Sequence, residues 1–338
     1  MSVSLQIINQ RAKDHAWSID DLDWSGGIDR DRHFFPEDQM PLAFTEGWRS
    51  LLNDDERRTA NQWYGCAVSE QFIFLEEAFL APAVGAMLRL SSTRRDPDLC
   101  QALELFLIEE RKHGDMFRRL LQSVAPEWYA HSDRHFYTPG TMGIRFGELC
   151  LQLPTVFVAW PWLGMILEEK TIAYHRAYER AYERAVAAST SPDPRRTPLL
   201  DPLHHAVHRF HFLDEARHVQ LEQVLIERLW DPASAFTKDL NRPLLFRALG
   251  QYTRPRARSV SGNIVRALVA KYPRLQVFQE RLLMGIMDLR HNAEFQRHIY
   301  GHDAIPQCFR ALQAHPELHG ITVVAPDFKP DATVAVAA

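Results

Sequence analysis

The chain of 338 residues is poor in thiols. Its four cysteines, Cys66, Cys100, Cys150 and Cys308, include no Cys-x-x-Cys pair. That spacing excludes a disulfide scaffold and argues against a thiolate zinc site or a redox pair. A basic excess is missing too: 39 Lys and Arg stand against 43 Asp and Glu, a net charge of −4. Nucleic-acid binding normally needs the opposite balance, so no nucleic-acid partner is expected. The start, MSVSLQIINQRAKDHAW, has no apolar stretch of the kind a secretory signal needs. No strand-like alternation and no fixed-period repeat occurs. The one long uncharged run, residues 150–167, CLQLPTVFVAWPWLGMIL, is interrupted by Gln152, Pro154 and Pro161 and is followed by Glu168 and Glu169. It reads as a buried helix rather than a membrane span. The expectation is a soluble cytoplasmic protein.

What is present is helical periodicity. The first 50 residues read as an irregular segment, rich in acids, Gly and Pro. Long helices are expected at about 53–90, 97–124, 155 or 161 to 188, and 200–229. Shorter ones follow at about 234–251, 257–271 and 275–299, and residues 321–338 read as a tail. Residues 51–320 therefore form one all-α domain with a four-helix bundle at its centre. The connection between the second and third helices is the longest and suits a crossover.

Histidine is abundant, with 16 residues, which directs attention to metal ligands. The fourth helix carries HRFHFLDEARH, in which His211, Glu215 and His218 stand at i, i+4 and i+7 and share one face. With 21 Glu and 16 His in the chain, chance predicts only about 0.05 such triplets. The second helix carries Glu110 and His113 on the face of Leu103, Phe106 and Phe117. On the first helix, Glu76 and Glu77 both sit in an apolar stripe; on the third, Glu168 and Glu169 do, with a slight preference for Glu169. One Glu, a Glu-x-x-His, one Glu and a second Glu-x-x-His, each on its own helix, is the donor order of a carboxylate-bridged dimetal bundle. Hard carboxylates and imidazoles without thiolate suit a pair of iron or manganese ions. Asp214 and Glu109 each precede a ligand Glu; across the bundle they could orient His113 and His218 respectively. His204, His205 and His208, upstream on the fourth helix, read as helix-end or surface residues, although His204 and His208 approach the stripe. Gly164 reads as a close-packing glycine.

These residues resemble the AurF-like di-iron N-oxygenases of the ferritin-like superfamily. That group has a third His one turn before the last Glu-x-x-His, and His211 stands there. A Pro follows the first Glu by six residues, and Pro82 after Glu76 matches, which favours Glu76 over Glu77. The likeness covers about residues 55–300. It implies a ferritin-like bundle, often a homodimer, in which Glu76, Glu110, His113, Glu168 or Glu169, His211, Glu215 and His218 hold two irons. It further implies O₂ as co-substrate, a small amine oxidised at nitrogen to hydroxylamine, nitroso or nitro, and electrons from a ferredoxin or a reductase. Members that accept an aminobenzoate carry a Tyr and an Arg before the first Glu; Val68 and Gln71 stand there in this chain, so a different amine is implied. The competing expectations are a di-iron or Mn/Fe carbon hydroxylase or desaturase, a non-catalytic ferritin-like metal-binding protein, and a metal-free helical module.

Overall fold

The computed structural model describes residues 3–138, 149–189 and 200–323, and every regular element among them is helical. Four long helices form the core. The first, α2, spans Asp54–Arg89, α3 spans Pro97–Val124, α4 Trp160–Ser189 and α5 Pro202–Leu225. Their starts are fixed by local chemistry. Asn53 and Glu56 cap α2 reciprocally. Asp96 and Asp201 cap α3 and α5, each followed by a proline whose missing N–H costs nothing at that position.

Cross-helix pairs give the topology. Phe72 meets Phe117, and Tyr178 meets both His205 and His208. Phe117 meets His211, and His113 bonds Asp214. Helix α5 therefore runs antiparallel to α3 and α4, whereas Glu76 and Phe72 both meet His211, with Phe72 also meeting His208, so α5 runs parallel to α2. Helices α3 and α4 point the same way, and the chain between them must travel the length of the bundle, as the long connection led us to expect.

Among the described residues three large apolar clusters surround the bundle core, one around Phe72, Phe117 and Tyr178, one around Met165, Ile166 and Trp162, and one around Leu103, Phe106 and Leu221, with a small fourth at Leu289, Phe295 and Ile299. Helix α2 is interrupted by a π-turn at Glu76–Leu80, closed by Ala81 N–H donating five residues back to Glu76. Pro82 has no N–H for an α-type bond to Ala78, and the wider turn accommodates it. A second π-turn, Ile226–Trp230, ends α5.

Three expectations need correction. The N-terminal segment is not irregular throughout: α1, Leu5–Asp14, packs Leu5 and Ile8 into the cluster of Leu103 and Leu221. The helix expected at 275–299 is broken. Past α6 (Ala235–Thr253) and α7 (Val260–Lys271), α8 covers Gln279–Asp288 and α9 covers Ala293–Tyr300, because Asn292 caps a new start by accepting Phe295 N–H at 2.9 Å. Helix α10, Pro306–Gln313, was not anticipated. Of the run at 150–167, only the part from Trp160 is in α4, where Trp160 and Trp162 are fully buried. One helix among the described residues, α2, is long and apolar enough to cross a membrane by length and composition. It packs within the bundle and buries Glu70 and Glu76. The expected tail, 321–338, lies outside the described residues apart from 321–323, where Ile321 is buried.

Candidate metal centre

Seven donors converge between the three apolar clusters. Glu76 from α2, Glu110 and His113 from α3, Glu168 from α4, and His211, Glu215 and His218 from α5 are all buried. They form three overlapping groups whose donor atoms lie within 4.8 Å of one another: Glu76 with His113 and His211, Glu110 with His113 and His218, and Glu168 with Glu215 and His218. His211 Nε2 lies 3.0 Å from Glu76 Oε1 and 2.9 Å from Glu215 Oε1. His218 Nδ1 lies 3.0 Å from Glu110 Oε1 and 3.7 Å from Glu168 Oε2.

Most of these close approaches are not hydrogen bonds. Both oxygens of Glu76, Glu110 and Glu215, and Nδ1 of His113 and His218, are buried without a hydrogen-bond partner among the described residues. Buried polar atoms are nearly always bonded, because leaving one unbonded costs about 1–3 kcal/mol. Eight such atoms gathered in one buried cluster indicate a set that cations complete. The electrostatics agree. Burial, and then the neighbouring carboxylates of Glu110 and Glu215, push the Glu76 carboxyl well above its usual range. Burial lifts Glu110 to about 7. Burial and the nearby imidazoles hold His211 well below its ordinary value.

The outer atoms of the two Glu-x-x-His imidazoles are held. His113 Nε2 is 2.9 Å from Asp214 Oδ2 and His218 Nε2 is 3.0 Å from Glu109 Oε2, the crosswise pairing suggested by the sequence. Such a bond fixes the tautomer and leaves Nδ1 facing inward as a lone-pair donor. Burial opposes the charge on Asp214, but the bond and charge of His113, helped by Lys112, hold its carboxyl well below the usual range.

The two ambiguous pairs separate. Glu77 points to Arg118 on the outer side of α2 and α3. Glu169, the slightly preferred residue of its pair, is not in the cluster: its oxygens accept Gln307 N–H at 2.6 Å and Cys308 N–H at 2.7 Å, capping α10. The sequence could not show this, because the capped helix lies some 140 residues away and was itself unexpected. Glu168 occupies the inward position.

The polar stripe on α5 is longer than its sequence motif. His204 and His208 are buried, not surface residues. His204 stacks on Phe34 at 4.1 Å and bonds Asp201, while His208 stacks on Tyr178 at 4.6 Å. Half-buried His205 bonds Glu179. At the other end Glu222, missed by sequence reasoning although it stands four residues after His218, is buried with neither oxygen bonded. Burial raises its carboxyl well above the ordinary range. It rests against Gly164, where a Cβ would lie 2.4 Å from Glu222 Oε1. Gly164 thus makes room for a carboxylate.

A cavity of about 400 Å³ opens on the outer side of the segment 33–44, lined among others by His33, Asp38, Arg49, Arg184 and His298. Phe35 separates it from His208, with ring centroids 6.0 Å apart. No protein-family model and no curated protein matches this sequence.

Proposed function

We propose that the chain holds two iron ions in this cluster and is an O₂-dependent N-oxygenase of a small amine, of the AurF-like type and with the ferritin-like arrangement of its bundle. The observation that carries the reading is the donor set: four carboxylates and three imidazoles from four helices, with most of their inward atoms buried and unbonded. Four carboxylate charges offset two divalent ions, and oxygen and imidazole donors suit iron, with manganese the next candidate. The third imidazole, His211, is what favours N-oxygenation over carbon hydroxylation, desaturation or metal storage, through the resemblance described above. A pair of irons held there would supply activation of O₂ and oxidation of the amine nitrogen.

The protein's own groups have definable parts in this. Glu76, Glu110, Glu168 and Glu215 supply the anionic oxygens, and His113, His211 and His218 the nitrogens. Asp214 and Glu109 hold the protons on the outer nitrogens, so that the inner lone pairs of His113 and His218 stay available. Phe72, Phe106 and Phe117 pack against the imidazoles, at centroid distances of 4.7 Å for Phe72–His211, 4.4 Å for Phe106–His218 and 4.9 Å for Phe117–His211, and exclude bulk water. Val68 and Gln71 offer no guanidinium for a substrate carboxylate, and Gln71 bonds its own helix backbone at Ala67. The substrate is therefore an amine other than an aminobenzoate. The electron donor is a ferredoxin or a reductase, and the protein works as a cytoplasmic homodimer.

The test is metal content followed by reaction. Protein from iron-supplemented cells should carry about two irons per chain. Reduced without oxygen and then mixed with O₂ and a panel of amines, it should consume O₂ and yield N-oxygenated product. No metal, or a single loosely held ion, would refute the reading. A His211→Ala variant with full iron and full turnover would refute the N-oxygenase assignment while leaving the bundle intact.

A further inference from the structure

The stripe of imidazoles on α5 does not stop at the cluster. Three residues before His211, His208 is 1 % exposed, and neither of its ring nitrogens has a hydrogen-bond partner among the described residues. A neutral imidazole carries one N–H and one lone pair, so a donor and an acceptor both go unmet. Polar groups nearby do not answer them. His204 holds Asp201 through Nδ1 at 2.9 Å and leaves its own Nε2 unbonded, and the Tyr178 hydroxyl donates to Phe34 O at 2.6 Å. What surrounds His208 is aromatic. Tyr178 stacks on it at 4.6 Å, and Phe117, Phe72 and Phe35 meet it edge-on at 5.7, 6.0 and 6.0 Å. A purely packing role would be filled better by an apolar ring, which would stack on Tyr178 without stranding two polar atoms.

Phe35 is the ring of this group that also lines the cavity of about 400 Å³ outside the segment 33–44. Its backbone is pinned. Asn61 Oδ1 accepts Phe34 N–H at 2.8 Å and Phe35 N–H at 3.1 Å, and Asn61 Nδ2 donates to Phe35 O at 2.7 Å. The side chain alone is left to change rotamer. The place it fills is bounded by Tyr174, Tyr64, Tyr178 and His208, whose rings are centred 5.0, 5.3, 5.8 and 6.0 Å from its own. That slot has the size and thickness of one six-membered ring. None of the four side chains is a carboxylate or a guanidinium. Lys170, 4.8 Å from the Tyr174 ring, gives its Nζ to Gln39 and to Ile299 O. A substrate carboxylate buried in the slot would therefore lack a partner. The slot adjoins the metal cluster, because Phe72 meets Tyr174, His208 and the ligand His211.

We propose that Phe35 is a gate, and that the slot it fills takes the ring of the substrate, a neutral arylamine whose hydrogen-bonding substituent His208 holds. The inference rests on the N-oxygenase reading and deepens it by naming the substrate class. Phe35 turns out into the cavity as the arylamine turns in, while Asn61 keeps the backbone in place. His208 supplies the N–H or the lone pair that the substituent lacks. Phe35 lies in the first 50 residues, outside the stretch of resemblance, and Val68 and Gln71 take no part.

The probe is 4-aminobenzamide, whose amide both donates and accepts, with aniline and 4-aminobenzoate for comparison. Iron-loaded, reduced protein is kept without oxygen, so that calorimetry reads binding without turnover. Wild type should bind 4-aminobenzamide at least about tenfold more tightly than 4-aminobenzoate. Equal or tighter binding of 4-aminobenzoate would overturn the substrate class. His208→Phe keeps a ring on Tyr178; it should weaken 4-aminobenzamide about tenfold and leave aniline within about twofold. His208→Gln, with a donor and an acceptor, should retain most of the binding. Equal losses for both ligands, or none for either, would overturn the role of His208. Phe35→Ala leaves the slot open, and association of 4-aminobenzamide, followed by stopped-flow fluorescence, should speed at least about tenfold. An unchanged rate would overturn the gate. Iron content equal to wild type shows that each variant has folded; if Phe35→Ala loads poorly, Phe35→Leu replaces it under the same criterion. Two irons per chain with no arylamine bound by wild type or by Phe35→Ala would refute the slot and leave the metal reading standing. A wild-type chain without iron would refute the di-iron reading, and its binding of 4-aminobenzamide would still decide the slot.

Discussion

Replacing Glu110 by Gln should stabilise the metal-free protein and destabilise the metal-loaded one. In the fold the Glu110 carboxyl is raised from 4.5 to about 7, first by burial and then by Glu215 and Glu109, against the opposing pull of His218. The folded state therefore keeps this proton up to about pH 7, while the unfolded chain gives it up from about pH 4.5. Between these values the unfolded state binds fewer protons, so folding stability falls as pH rises. At about 1.36 kcal/mol per pH unit the full penalty is about 3 kcal/mol, absent below pH 4.5 and complete above pH 7. Glutamine carries no such penalty. With chelator present, urea unfolding of Glu110→Gln and wild type should show an advantage for the variant that is small at pH 5 and approaches about 3 kcal/mol at pH 8. With Fe(II) at a thousandfold excess over Kd under anaerobic conditions the order should reverse, because the ion stabilises only the chain that binds it, by about 4.1 kcal/mol. A variant with no greater advantage at pH 8 than at pH 5 would refute the claim that this carboxyl is a strained, proton-holding group awaiting a cation. A variant equally stabilised by iron would refute its place among the ligands.

Other substitutions separate holding, orienting and packing roles. Asp214→Asn weakens the grip on His113 Nε2 and should lower metal affinity about 10- to 100-fold with the fold intact, measured by competition with a chromophoric chelator. Glu168→Gln should lose metal and keep stability, whereas Glu169→Gln should keep metal and lose about 1–3 kcal/mol, because it leaves the α10 amides of Gln307 and Cys308 poorly matched. The same loss of metal in both variants would show that the α4 assignment is wrong. Gly164→Ala places a Cβ 2.4 Å from Glu222 Oε1 and 2.8 Å from its Cδ. It should cost about 1–3 kcal/mol. Adding Glu222→Ala should recover most of that cost, and a double-mutant cycle that gives simple additivity would contradict the contact.

Much of this protein could be read from its residues before any coordinates. The four core helices follow from 3.6-residue periodicity together with strong local signals, such as Asp96 before Pro97 and Asp201 before Pro202, which act within one turn and need no distant partner. The donor stripe of His211, Glu215 and His218 is a property of a single helix, so spacing alone puts the three on one face. The length of the connection after α3 already suited a crossover, because parallel neighbours cannot be joined by a short turn.

What needed the tertiary structure is what the helix pattern alone left open between adjacent residues. Glu76 and Glu77 differ by about 100° around α2, and so do Glu168 and Glu169 around α4; Pro82 had favoured Glu76 through the resemblance, while the apolar pattern gave a slight lean to Glu169. The decision came from what lies opposite: Arg118 beside Glu77, and the N-terminus of α10 beside Glu169. The burial of His204, His208 and Glu222 depended on Phe34, Tyr178 and Gly164, which local periodicity cannot see. Phe35 is the extreme case. Nothing in the residues around it marks it, and only the docking of the N-terminal segment against α2 and α5 puts its ring between the cavity and His208. Local physics set the helices and one face of each, and the packing of distant segments decided which carboxylates face inward and how the cluster meets the surface.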